Sequence, residues 1–248
     1  MRWTGRRAGL LLAVAGLVAG FSPFPARADG INLSWDDCGT YGTMAKQFAC
    51  DTNTGAGFTL FGSFVPPAGI VEFVAISAEI GFRFGSALSV PDWWSLGTGR
   101  CRAGALTVST DFTSGPYNCA DNFFGQATTA FDYTETTGVG AARLVVQAEL
   151  PADIATGLDP SIEYYGFRIH IAPAKTVGTG ACVECDGPAC INFRYIQLFQ
   201  PAARNFDPRI SVPLSMNSVA WRELYCPPCP CPTVASSWGQ LKCLFRNR

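Results

Sequence analysis

The sequence predicts an all-β protein, an antiparallel β-sandwich of jelly-roll-like or Greek-key type, with a closed β-barrel as the alternative. Three observations carry that reading: long stretches in which apolar residues recur at every second position, turn-forming clusters between about nine such stretches, and no convincing amphipathic helix from residue 58 to 221. Successive side chains of a strand point to opposite faces, so strict alternation marks a strand with one face in the core and one in water.

In chain order, Asn32–Trp35 and Phe58–Val65 are short candidates. Ile70–Phe84 is stronger, because Val74, Ile76, Ala78, Ile80, Phe82 and Phe84 share one face while Ser77, Glu79, Gly81 and Arg83 share the other. Ala105–Phe112 and Gly125–Tyr133 follow. In Ala142–Leu150, the positions Ala142, Leu144, Val146, Ala148 and Leu150 alternate with Arg143, Val145, Gln147 and Glu149. Tyr165, Phe167, Ile169 and Ile171 alternate with Tyr164, Gly166, Arg168 and His170 over Glu163–Ile171, and Ile191–Gln200 and Ile210–Trp221 complete the set. The connections VPPAG, TSGPYN, TTGVG and CDGPAC have turn chemistry.

The ends read differently. Arg2, Arg6 and Arg7 precede an uncharged run from Ala8 to Phe21, and Ala26-Arg27-Ala28 fits a small-x-small cleavage site. Residues 1–28 therefore read as a secretory signal peptide, with the mature chain starting near Asp29. Fourteen residues span about 21 Å as a helix, short of the ~30 Å hydrocarbon core of a bilayer. No later segment is long and apolar enough for a helical span, so the mature chain is expected to have no transmembrane span. Residues 29–222 form the expected disulfide-stapled sandwich. The run Cys226-Pro227-Pro228-Cys229-Pro230-Cys231-Pro232 makes 223–235 an extended linker. In 236–248, Trp238, Leu241 and Phe245 fall at helical spacing behind a Ser236 cap, in a segment too short to be stable alone.

Charge narrows the partners. The chain carries 18 basic against 19 acidic groups, and without the four arginines of the leader it stands at a net −5. Nucleic acid and anionic lipid both reward clustered positive charge, so no nucleic-acid partner is expected. Cell-surface components or polysaccharide fit better, in the extracellular space or at the cell-envelope surface.

Export places the 11 cysteines where disulfides persist. Cys38 is expected to pair with Cys50 and Cys101 with Cys119, each pair closing a polar loop between strands. Cys190 is expected to pair with Cys185 or Cys182. The two CxxC pairs, Cys182/Cys185 and Cys226/Cys229, have the spacing of a zinc knuckle. Oxidising conditions argue against it, and neither a metal nor any other cofactor is expected.

No constellation points sharply to catalysis. His170, the single histidine, sits on the outward face of its strand beside Arg168, and no G-x-S-x-G occurs. Asp36, Asp37 and Glu163 are the candidate carboxylates for a hydrolase, which needs two of them across one cleft. Asp51-Thr52-Asn53-Thr54-Gly55 opens like a Ca²⁺ loop but lacks the closing Glu, so a plain turn is expected. Trp93-Trp94 and Tyr164-Tyr165 are the candidate ligand-binding residues, as a stacking platform for sugar rings.

Five passages resemble a group of uncharacterised exported bacterial proteins: Asn32-Leu33-Ser34-Trp35-Asp36-Asp37-Cys38-Gly39; Phe48-Ala49-Cys50-Asp51-Thr52-Asn53-Thr54-Gly55; Gly62-Ser63-Phe64-Val65-Pro66-Pro67; Glu163-Tyr164-Tyr165-Gly166-Phe167; and the Cys182/Cys185/Cys190 cluster. Ser237-Trp238-Gly239-Gln240-Leu241-Lys242 with Leu244-Phe245-Arg246 is similar to a short C-terminal ending found on such proteins. The resemblance implies a shared fold and secretion, and no known activity. The expected function is a secreted or cell-surface, non-enzymatic structural or adhesive protein. A carbohydrate-binding module is the first alternative and an extracellular hydrolase the second.

Overall fold

A computed structural model describes residues 29–38, 42–85, 87–113 and 119–222. The expected signal peptide, the Cys/Pro linker and the terminal segment lie outside the described residues. Eleven strands build two sheets, with no α-helix among the described residues. The smaller sheet is β1 (Gly30–Trp35), β3 (Phe58–Val65), β8 (Tyr164–Ile171) and β5 (Leu106–Ser109), in the order β1-β3-β8-β5. The larger runs β2-β11-β9-β4-β7-β6, with β10 also paired to β9. Its strands are β2 (Ala45–Lys46), β4 (Ala75–Arg83), β6 (Thr128–Thr136), β7 (Ala141–Glu149), β9 (Ala189–Phe199), β10 (Arg209–Ile210) and β11 (Ser218–Trp221). All pairings are antiparallel except β11 with β2. The sheets do not close into a barrel, and the sandwich stands.

The alternation places the core as read. Ile76, Ala78, Ile80 and Phe82 of β4 are buried with Leu144 and Val146 of β7 and Ile191, Phe193, Ile196 and Leu198 of β9. Facing them from the smaller sheet are Leu33, Leu60, Phe64, Phe167, Ile169 and Ile171. Phe167 meets Phe193 edge-on at 5.0 Å between the layers. It fits because Gly62 lies opposite: a Cβ there would stand 2.1 Å from the ring. At one end of the core, Trp35, Phe48, Phe58, Trp93, Trp94 and Trp221 gather in one aromatic cluster.

The cysteine pairing differs from every expected pair. Cys38 bonds Cys119, Cys50 bonds Cys185 and Cys101 bonds Cys182, across sequence separations of 81, 135 and 81 residues. The expected local staples assumed that each cysteine closes its own loop. In the folded chain different loops meet, and the bonds join loop to loop. Cys182 and Cys185 thus carry separate disulfides and form no metal knuckle. Cys190 is also disulfide-bonded. Its expected partners are both engaged elsewhere, so its partner lies outside the described residues.

Arg102 has no counterpart in the sequence reading. It follows Cys101 and is 1% exposed. Its Nε donates to the Ala174 carbonyl at 2.9 Å, Nη1 to the Trp93 carbonyl at 2.8 Å, and Nη2 to the Ala172 carbonyl. The guanidinium lies 3.7 Å over the Trp93 ring. Burial lowers its pKa to about 10, so the group stays cationic at neutral pH. Three carbonyls and a ring face replace its water shell, and they fasten the Trp93 turn to the strand exit at Ala172. Arg102→Met should leave those carbonyls unpaired and cost about 2–3 kcal/mol in urea denaturation, net of the relieved burial of charge. Arg102→Lys should not rescue it, because an ammonium cannot span the same fork. A loss below about 0.5 kcal/mol in both variants would show that these bonds do not hold the turn.

Candidate recognition face

The two sheets treat their outward residues differently. On the smaller sheet, the polar residues Asn32, Ser34 and Ser63 alternate with the core positions and are nonetheless buried. Glu163 accepts hydrogen bonds from Asn32 Nδ2 and Ser63 Oγ, both at 2.7 Å. Asn32 Oδ1 accepts from the backbone N–H groups of Ser215 and Met216 at 2.9 and 3.1 Å. This carboxylate is spoken for as a structural acceptor, clamping β1 and β3 together.

The larger sheet presents a different surface. Its outward side chains form cross-strand rows fixed by the register: Gln147, Ser77 and Gln197 in one, Val145, Glu79 and Tyr195 in the next, then Arg143, Gly81 and Asn192. Arg83 extends β4 beyond them. Between Glu79 and Ile80 the β4–β9 register shifts, leaving Arg194 as an extra residue on β9. A bulge of this kind turns two successive side chains to one face. Arg194 and Tyr195 both reach Glu79: Arg194 Nη1 donates to Oε1 at 2.8 Å and Tyr195 Oη to Oε2 at 3.3 Å. Arg143 Nη1 stands 3.7 Å from Oε2. Gly81 leaves room for this placement: a Cβ there would come within 2.6 Å of Arg194 Nε and displace the guanidinium. Arg209, on β10, stacks its guanidinium 3.4 Å over the Tyr195 ring.

Glu79 is sunk at 13% side-chain exposure, while Arg143 and Arg194 remain about half exposed at 49% and 45%. One carboxylate therefore preorganises two guanidiniums whose remaining N–H groups face water. Arg83 and Arg209 are also exposed. Such a fixed, half-solvated array on strands is suited to recognition rather than to proton transfer.

The sequence-predicted site residues fall elsewhere. Trp93 and Trp94 are both 0% exposed, which corrects the stacking platform proposed for them. They occupy a 3-10 turn, Asp92–Trp94, and not a strand, so both point inward. Tyr164 and Tyr165 are half-buried and engaged within the chain. Tyr164 Oη accepts from the Asp159 N–H at 2.8 Å, and its ring stacks on Phe64, while Tyr165 packs near Phe112.

The candidate hydrolytic groups do not converge. Asp36 pairs with Lys46, and Asp37 caps the Cys38 N–H. Glu163 binds Asn32, four residues up the chain from Asp36, a separation of roughly 13 Å along a strand. Glu163 immediately precedes β8 and His170 lies near its far end, roughly 23 Å away by the same rise. The Asp51–Gly55 turn latches a neighbouring loop, with Asn53 Oδ1 accepting from Thr176 and Val177 at 2.7 and 2.9 Å.

His170 pairs with Thr59 and Thr107 on its two sides and touches the space above Gly57. Burial, and secondarily Arg168, lowers its pKa below 6.5. The unfolded chain then takes up a proton that the folded chain resists, so stability falls as pH drops through 6.5 and below. His170→Gln should lose less stability than the parent between about pH 7 and pH 5.5, measured by urea midpoints. Equal losses would assign the acid sensitivity to other groups.

No family model and no curated protein matches the chain. Among solved structures, it is similar at 10% identity to the sixth cohesin of scaffoldin B from Acetivibrio cellulolyticus, solved with a mutant Cel5 dockerin. That match covers 77% of this chain and 97% of the other, with a TM-score of 0.28. A cohesin module from a Clostridium perfringens family 33 glycoside hydrolase matches at 10% identity, covering 79% and 99%, with a TM-score of 0.29. The sandwich assignment rests on the strand order and register. No helix among the described residues is long and apolar enough to cross a membrane.

Proposed function

We propose that the chain is an exported, non-enzymatic adhesive module of the cell envelope or extracellular space, contacting its partner through the outward face of the larger sheet. The observation that carries this reading is the Glu79-centred array. Arg143, Arg194 and Tyr195 are held in fixed positions by the ladder and by the bulge, yet the two guanidiniums stay half exposed. Three disulfides between described cysteines fit an oxidising compartment. The closing segment Ser236–Arg248 supplies attachment to the surface, in keeping with its resemblance to endings of exported proteins.

The test separates the two roles. Charge reversal at Arg143→Glu with Arg194→Glu should abolish adhesion of displaying cells while leaving the protein on their surface. Deleting Ser236–Arg248 should release it into the medium. Unchanged adhesion in the charge-reversed variant overturns the assignment of the face, and unchanged surface retention of the deletion variant overturns that of the tail.

A further inference from the structure

We infer that this face binds a polysaccharide bearing carboxylate groups, a proposal that rests on the reading of the larger sheet as the contact surface. The charge there runs against the rest of the molecule. Four arginines, Arg83, Arg143, Arg194 and Arg209, project from β4, β7, β9 and β10 of a chain that is acidic overall without its leader. Glu79, which they surround, is bonded by two of them and sunk at 13% exposure. The other outward carboxylates nearby are Asp132 on β6, in the row of Val145 and Glu79, and Glu149 at the far end of β7, in the row of Ala75 and Thr128, so four guanidiniums still outnumber the acids around them.

The spacing suits a linear polymer. Arg143 on β7 and Arg209 on β10 are three strand intervals apart across the sheet, roughly 14 Å, and two rows apart along it, roughly 13 Å, so they lie about 19 Å apart on a diagonal with Arg194 between them. A chain laid across the strands would meet successive guanidiniums, each able to hold a carboxylate through two parallel N–H groups. Between and beside them on the same face stand the neutral hydrogen-bonding groups Ser77 and Gln147, with Gln197 and Asn192, whose amide nitrogens donate to the Asp207 carbonyl and to Ser218 Oγ. Alternating carboxylate-binding and hydroxyl-binding groups match an acidic sugar unit, which presents one carboxylate and several ring hydroxyls.

Other polyanions fit less well. An acidic peptide gains most of its affinity by adding a strand to a free sheet edge. In the middle of this sheet the backbone N–H groups of β4 and β9 are committed to their ladders, so side chains alone are offered. A plain polyphosphate chain carries no ring hydroxyls for the neutral side chains of the face, such as Ser77 and Gln147, to meet.

The experiment is calorimetry of the full chain with polygalacturonate, fully methyl-esterified polygalacturonate and polyglutamate. Binding is expected with the first alone, and added salt should weaken it. The triple variant Arg143→Gln, Arg194→Gln, Glu79→Gln removes both guanidiniums together with the sunken carboxylate they neutralise. It should weaken binding by at least about tenfold with the unfolding midpoint maintained. Arg209→Gln, at the far end of that diagonal, gives a second reading should the triple variant unfold, and should weaken binding severalfold. Equal binding of the methyl ester, or of polyglutamate, overturns the proposal, as does unaltered affinity in Arg209→Gln together with the triple variant. If polygalacturonate fails to bind while the charge-reversed face still abolishes adhesion, the ligand class is wrong and the contact surface stands.

Discussion

Replacing Cys50 and Cys185 together by serine should cost about 5 kcal/mol of stability, the largest loss expected from removing any one of the three disulfides between described cysteines. The bond joins residues 135 apart in sequence. Releasing it restores to the unfolded chain a freedom that grows with the logarithm of loop length. Cys38–Cys119 and Cys101–Cys182, each 81 apart, should be worth about 4.5 kcal/mol on the same grounds. Local staples of the kind the sequence suggested would each give only about 3. Urea denaturation of the paired serine variants under oxidising conditions measures the difference. A loss below about 1 kcal/mol for Cys50→Ser with Cys185→Ser would mean that the crosslink barely restricts the unfolded chain, as when that chain is already compact. Function should feel the same change. Cys50 and Cys185 are anchored near Phe48 and Trp221, and Trp221 closes the strand that runs beside β9, where Arg194 and Tyr195 are displayed.

What the sequence made legible follows from what alternation can report. Ile76, Ala78, Ile80 and Phe82 announce a buried face because period two has one geometric meaning, and β4, β7 and β8 appear within a few residues of where they were read. Two-residue strands leave no such pattern, so β2 has no counterpart in the sequence, and the single stretch Ile210–Trp221 resolves into β10, which it overlaps at Ile210, and β11. Disulfide partners depend on which loops meet in space, information that spacing between Cys38 and Cys50 does not hold. The recognition face was half visible. Glu79, Arg83, Arg143 and Gln147 read as outward positions of their strands, but nothing in their order says that β4 and β7 pair and bring them together. The bulge hides the rest: at Arg194-Tyr195 the alternation breaks, and a broken alternation in a strand-like run is the one local signal that could have singled out this pair. Trp93-Trp94 misled for the opposite reason. A pair of tryptophans behind Pro91 suggests exposure only if the segment is a strand, and in a 3-10 turn both rings go inward.

The aromatic end of the core supplies the second large effect. Trp221→Ala should cost about 3–5 kcal/mol, the range for emptying a large, closely packed aromatic site. Its ring lies 4.1 Å from Phe48, 4.7 Å from both Phe58 and Trp93, and 5.2 Å from Trp94, and its Nε1 donates to the Cys185 carbonyl at 2.8 Å. No single neighbour can fill the space, because each is itself wedged by the others. Trp94 provides the contrast. It is equally buried, yet its Nε1 has no hydrogen-bond partner among the described residues. Trp94→Phe removes an unsatisfied donor along with some volume, and the two changes oppose each other. Trp221→Phe removes volume and also strands the Cys185 carbonyl. The phenylalanine variant at 221 should therefore lose about 2 kcal/mol, and the one at 94 less than about 1. Thermal and urea unfolding of the two, side by side, decide between packing and polar satisfaction as the source of stability here. Equal losses would assign it to volume alone, and a larger loss at 94 would show that the contacts of its indole with Phe82, Phe84 and Trp93 outweigh the unsatisfied donor.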